Sequence, residues 1–120
     1  MAKIVLAEDD ATMVHLLQTL LQMDGHEVTT VDGDGDVGAA VTALSPDVLL
    51  LDTVFGTQSG LELVAQIRRS EKGRKAYILM MSGLSLKDEA LQSGADDFLL
   101  KPFMPEELIG LLRLHAPANS

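Results

Sequence analysis

Four short apolar runs in this chain each stop at residues that can do chemistry. Ile4–Ala7 is followed by Glu8 and Asp9, Val48–Leu51 by Asp52, Tyr77–Met81 by Ser82, and Phe98–Leu100 by Lys101. Carboxylates, a hydroxyl and a primary amine fixed at the ends of rigid elements are the parts of a phosphoryl-transfer site. They supply a carboxylate nucleophile, a seat for a divalent cation, a hydroxyl and a neutralising cation. These residues are far apart in sequence. A parallel α/β sheet brings them together, because its strand C-termini converge on the edge where such sheets bind ligands.

The elements that must position them can be read from periodicity. Short apolar runs alternate with helical patterns, as in consecutive βα units. Lys3–Ala7 reads as a first strand. A helix follows from about Ala11, with Met13, Leu16, Leu17, Leu20 and Leu21 at helical spacing, and stops at Asp24-Gly25. Glu27–Val31 is a shorter, more polar strand that suits a sheet edge. Val37–Leu44 is a second helix, ended by Ser45-Pro46. Val48–Leu51 is purely aliphatic and reads as a central strand covered on both faces. Leu61, Leu63, Val64 and Ile67 give a third helix its stripe. Ala76–Met81 is the fourth strand, Leu86–Gln92 a short fourth helix and Asp97–Leu100 the fifth strand. The fifth helix starts near Pro105, with Leu108, Ile109, Leu111 and Leu112 facing inward. Five βα units fill the chain as one domain, with a disordered tail expected over 116–120.

Composition narrows the function. At 120 residues the chain can bury a core without disulfides or a structural metal. It has no cysteine, which removes thiolate chemistry and suits a reducing compartment. No apolar stretch has the length of a membrane span, and no leader precedes the first strand, so a cytoplasmic location is expected. The net charge of −9 argues against nucleic-acid binding by this chain. Aromatics make up only 3%, so the core must be aliphatic and methionine-rich.

Asp52, at the end of the most apolar strand, is the expected nucleophile. Strand order 2-1-3-4-5 would place Glu8 and Asp9 directly beside it. Crowded carboxylates repel, and an oxygen-seeking divalent ion such as Mg²⁺ relieves that repulsion. Several longer motifs accompany these residues: the acidic run Glu8-Asp9-Asp10, Pro46–Asp52, Gly60, Met81-Ser82-Gly83 and Gly94–Phe103. In this order, each at a strand end, they make the chain resemble the response-regulator receiver domain over essentially its whole length.

That resemblance implies a flavodoxin-like (βα)5 fold: a parallel five-stranded sheet in order 2-1-3-4-5 with helices on both faces. It implies that Asp52 accepts phosphate from a phosphohistidine on a sensor histidine kinase or a phosphotransfer protein. Asp9, Asp52 and the Val54 backbone carbonyl would ligate Mg²⁺, with Glu8 acting mainly through water and Mn²⁺ as the alternative ion. Lys101 would neutralise a phosphoryl oxygen, and the Lys101–Pro102 bond would be cis. Ser82 would bond the phosphoryl group, and Phe98 would turn inward as Ser82 moves. Asp10 would only cap the first helix. The protein would then catalyse its own phosphorylation without being a general enzyme, as a monomer or a phosphorylation-dependent dimer.

Departures from the family pattern carry expectations of their own. Gly56 replaces the usual proline, which would loosen the loop after Asp52. The stretch from Ser82 to Lys101 is shortened, so the fourth helix should be truncated or displaced. That puts the usual signalling face of fourth helix, fifth strand and fifth helix in question. Val54 and Leu84, two residues beyond Asp52 and Ser82, are apolar and cannot orient an attacking water, which implies slow loss of phosphate.

Rival patterns are weaker. Gly33–Gly38 spells G-x-G-x-x-G after a strand, but its two internal aspartates would repel a pyrophosphate. Asp32, Asp34 and Asp36 mimic a calcium loop whose last acid is instead Ala43. A phosphatase of the aspartate-nucleophile type would carry a second acid where Val54 stands. His15, His26 and His115 lack metal-ligand spacing. The rival from another class is a receiver-like interaction module that works without phosphate. Nothing in the sequence names the kinase or the output, which could be a docking partner or a further domain.

Overall fold

The aliphatic run Val48–Leu51 needs cover on both faces, and the strand it forms, Val48–Asp52 (β3), obtains it at the centre of a parallel sheet. The computed structural model describes residues 2–115. In it β3 is flanked by Lys3–Ala7 (β1) and Tyr77–Ser82 (β6), with Glu27–Val31 (β2) and Asp97–Leu100 (β7) on the edges. The order β2-β1-β3-β6-β7 is the expected 2-1-3-4-5. Two further strands, Val54–Phe55 (β4) and Gln58–Ser59 (β5), form a separate antiparallel hairpin just after Asp52. The expected tail, 116–120, lies outside the described residues.

Alternation along the strands divides the core in two. Val5, Ala7, Leu49, Leu51, Ile78 and Met80 face the helices Val37–Leu44 (α2), Gly60–Ile67 (α3) and Lys87–Ser93 (α5). Ile4, Leu6, Val48, Leu50, Leu79 and Met81 face Ala11–Met23 (α1) and Pro105–His115 (α6). Both methionines of β6 are fully buried, in keeping with a core poor in aromatics. The hairpin contributes Phe55, also fully buried, to the first of these layers. Burying a side chain of this kind stabilises by about 1.5–3 kcal/mol, which explains why so short a hairpin holds its place.

Register sets the functional edge. Ala7 pairs with Leu51, Asp52 with Met81 and Ser82 with Leu100. Glu8, Asp52, Ser82 and Lys101 therefore emerge side by side. Helix starts are fixed by the same segments: the Asp10 carboxylate accepts from the N–H groups of Thr12 and Met13, capping α1 as expected. Gly25, with φ +87°, ends that helix in the left-handed region.

Glu71–Lys75 forms one more short helix (α4) that periodicity does not announce. It has no apolar stripe; tertiary contacts hold it. Ser70 caps it through the Gly73 N–H, and the Arg68 guanidinium bonds the carbonyls of Gly73, Ala76 and Gly94 and the Asp96 carboxylate. The short helix expected over Leu86–Gln92 forms as α5, seven residues long. Among the described residues, no helix is long and apolar enough to cross a membrane.

Candidate functional site

Three of the expected residues meet directly. The Lys101 ammonium bridges Glu8 Oε1 and Asp52 Oδ2. Both acids are nearly out of solvent, at 2% and 8% relative exposure. Their remaining oxygens are also engaged. Asp52 Oδ1 accepts from the Val54 N–H at 3.0 Å and Glu8 Oε2 from the Asp10 N–H at 3.1 Å. The nucleophile candidate is thus held by its own loop on one side and by a cation on the other. Lys101 is followed by a cis peptide bond to Pro102, as expected, and its own N–H donates to the Ser82 carbonyl at 2.7 Å.

Burial pushes the Glu8 carboxyl up from its ordinary value. The Asp52 charge adds to this, while Lys101 and the Asp10 N–H oppose it without cancelling it. Burial alone would lower the Lys101 ammonium. Its bonds to Asp52 and Glu8 outweigh that and hold it above its ordinary value. Lys101 therefore carries its charge at the site, between the two carboxylates.

Asp9 is close but differently engaged. Exposed at the mouth, its Oδ2 accepts from the Gly56 N–H at 2.9 Å. Gly56 adopts φ +61° and lies against Gly33, so close that a Cβ there would stand 2.0 Å from the Gly33 carbonyl oxygen. Gln58 adds a bond to the Gly35 carbonyl at 3.2 Å. The expectation that glycine at 56 frees this loop gives way to a different arrangement. The absent side chain lets two loops touch, and that contact ties the segment down. It also accounts for the Gly33–Gly38 pattern, whose first glycine abuts Asp9 and the Gly56 backbone rather than framing a nucleotide cradle.

Glu8, Asp9 and Asp52 offer oxygen donors only, which fits Mg²⁺. Among the described residues no group of three acidic or histidine side chains is already gathered into a ligand set. Protein donors engage both oxygens of Glu8 and of Asp52, while Asp9 is exposed and has one oxygen on the Gly56 N–H; to hold an ion, Asp52 would turn from Lys101 toward it. Val54, whose backbone carbonyl is the other expected ligand, is an exposed residue, at 60%.

Among the described residues Ser82 makes no side-chain hydrogen bond to the acids. It is 2% exposed, and its Oγ accepts from the Thr53 hydroxyl at 2.7 Å and the Leu84 N–H at 3.0 Å. Phe98 is half-buried against the layer under α2, α3 and α5. Thr53 has no signature of its own in the sequence. The register brings it in: with Asp52 paired to Met81, the next residue along falls beside Ser82.

Comparison with known proteins agrees with this architecture. The family model described as "Response regulator receiver domain" matches residues 4–113. The phosphate regulon transcriptional regulatory protein PhoB of Pseudomonas aeruginosa is 30% identical over 113 residues, which is 92% of this chain and 49% of PhoB. This chain thus spans about half the length of the curated relatives it matches. Among solved structures, the receiver domain of the sensor histidine kinase PA1611 from P. aeruginosa superposes with a TM-score of 0.86 at 28% identity. It covers 95% of this chain and 96% of that one, and it has a magnesium ion coordinated in its active-site cleft. The chemotaxis response regulator CheY4 of Vibrio cholerae gives the same TM-score at 29% identity, over 95% and 98% of the two chains. With fold, strand-end acids and family model in agreement, the chain belongs to the response-regulator receiver domains.

Proposed function

We propose that this domain is a phosphoacceptor switch in a two-component phosphorelay, with Asp52 taking a phosphoryl group from phosphohistidine on a histidine kinase or phosphotransfer protein. The observation that carries this reading is the Lys101 ammonium set between two buried carboxylates at the sheet's ligand-binding edge. One carboxylate oxygen of Asp52 attacks phosphorus in line, the P–N bond to the donor imidazole breaks, and that imidazole leaves with the electron pair and takes up a proton. Lys101 balances charge on the phosphoryl oxygens, and the Val54 N–H holds Asp52 in position. Asp9, Asp52 and the Val54 carbonyl, with Glu8 through water, would hold Mg²⁺. Mg²⁺, or Mn²⁺ in its place, would offset the repulsion between carboxylate and phosphate.

Once phosphorylated, Ser82 bonds the new group and Phe98 follows, changing the face of α5, β7 and α6 that signals to a partner. The domain acts in the cytoplasm, alone or as a phosphorylation-dependent dimer, and as a receiver it turns over no general substrate. The rival, an interaction module that works without phosphate, draws on the fact that the carboxylates already have protein partners. Incubation with acetyl phosphate and Mg²⁺ followed by intact-mass measurement separates them. Wild type should gain one phosphoryl group and Asp52→Asn none. A wild type without adduct, or an Asp52→Asn protein with one, overturns the reading.

A further inference from the structure

The Thr53 and Ser82 hydroxyls are both buried, at 5% and 2% exposure, and joined at 2.7 Å. The β3–β6 ladder runs one residue past Asp52, with the Thr53 N–H donating to the Met81 carbonyl at 2.9 Å. Alternation then places Thr53 and Ser82 on the face that carries Leu51 and Met80, and Asp52 on the opposite one. Among the described residues the Ser82 hydroxyl bonds Thr53 and the Leu84 N–H, and makes no hydrogen bond to Asp52 or to the Lys101 ammonium. A phosphoryl oxygen at Asp52 only accepts hydrogen bonds. To donate to it, Ser82 must rotate away from Thr53, leaving that buried hydroxyl to find another partner.

We infer that Thr53 is a positioning residue that holds Ser82 in its resting orientation and so sets how strongly a phosphoryl group must pull to throw the switch. This rests on the phosphoacceptor reading, in which Ser82 meets the phosphate. Phe98 packs on the same face as Thr53 and Ser82, so the restraint acts at the point where the site and the signalling face meet. A hydroxyl immediately after the acceptor aspartate thereby tunes the equilibrium without touching the reacting atoms. Valine in its place keeps the shape and removes the bond.

The test is titration with beryllofluoride, a phosphoryl mimic, in the presence of Mg²⁺, followed by amide NMR at Leu84 and Phe98. Thr53→Val should lower the half-saturating concentration by roughly three- to tenfold, the scale of one lost hydrogen bond in the competing state. Thr53→Ala should shift it the same way, and Thr53→Ser should restore the wild-type value. In a Ser82→Ala background, Thr53→Val should have no effect, which a merely structural role for Thr53 would not produce. Saturable binding to wild type with an unchanged or raised midpoint in the Thr53→Val protein overturns this inference alone, as does a shift that persists without Ser82. A wild type that takes no beryllofluoride, or an Asp52→Asn protein that takes it equally, overturns the phosphoacceptor reading and this inference with it.

Discussion

Lys101 stands between two buried acids, and each also accepts from a backbone N–H, Asp52 from Val54 and Glu8 from Asp10. Burial still pushes the Glu8 carboxyl up in spite of the ammonium. The pair's legibility followed from chemistry: an acid, an amine or a hydroxyl straight after an apolar run is conspicuous in sequence. Thr53 and Gly56 were not conspicuous, because their roles come from what neighbouring strands and loops place opposite them. Gly56 makes the stronger stability prediction. Alanine there must hold a left-handed conformation, costing about 1–2 kcal/mol, and its Cβ meets the Gly33 carbonyl oxygen at 2.0 Å. We expect Gly56→Ala to lose at least roughly 2 kcal/mol in denaturant unfolding, the backbone penalty and the clash together. Gly83→Ala, where a Cβ would meet nothing within 4 Å, should lie within about 0.5 kcal/mol of wild type. Equal stabilities would show that the loop contact is not holding the segment.

Helices and strands with a full apolar period were readable almost to the residue, from β1 to α6. Two elements were missed, the β4–β5 hairpin and α4, and neither has a period of its own. Phe55 anchors one and Arg68 the other, so both exist only once the core has formed. A comparable tertiary tie joins the end of α1 to α6. Asp24, the residue closing α1, accepts from Arg113 at 2.7 Å and has the His26 ring 3.3 Å away. Those neighbours, Arg113 first, hold its carboxyl below its ordinary 3.8. A carboxyl depressed by folding adds stability that is complete above its unfolded value and fades as pH falls through the folded one. Below about pH 4, then, wild type should lose stability more steeply than Asp24→Asn, and the two curves should converge in strong acid. Urea midpoints taken from pH 7 down to pH 2 would read this, and parallel curves would show the tie to be without weight.

At the scale of the molecule, the net charge of −9 is not evenly placed. Glu8, Asp9, Asp10 and Asp52 gather at one edge of the sheet, and Gly33, with its back to Asp9, brings the acidic loop from Asp32 to Asp36 alongside. Lys101 offsets part of this charge, which leaves the edge an attractive place for a cation. Two effects of a salt can be told apart there. Any electrolyte screens exposed charges over about 10 Å at 0.1 M. An ion held by Asp9 and Asp52 binds the folded state alone and stabilises it further, by about 2.7 kcal/mol at a hundred times its dissociation constant. Mg²⁺ should therefore raise the melting temperature well beyond NaCl at matched ionic strength, and a chelator should reverse the rise. In Asp9→Asn the response to NaCl should persist while the extra response to Mg²⁺ is lost or much reduced, because only the second needs the Asp9 carboxylate to take an ion. If Mg²⁺ and NaCl move wild type equally, the acids at the sheet edge are held by the protein's own donors and not by a metal, and the phosphoryl chemistry proposed for Asp52 loses the ion it depends on.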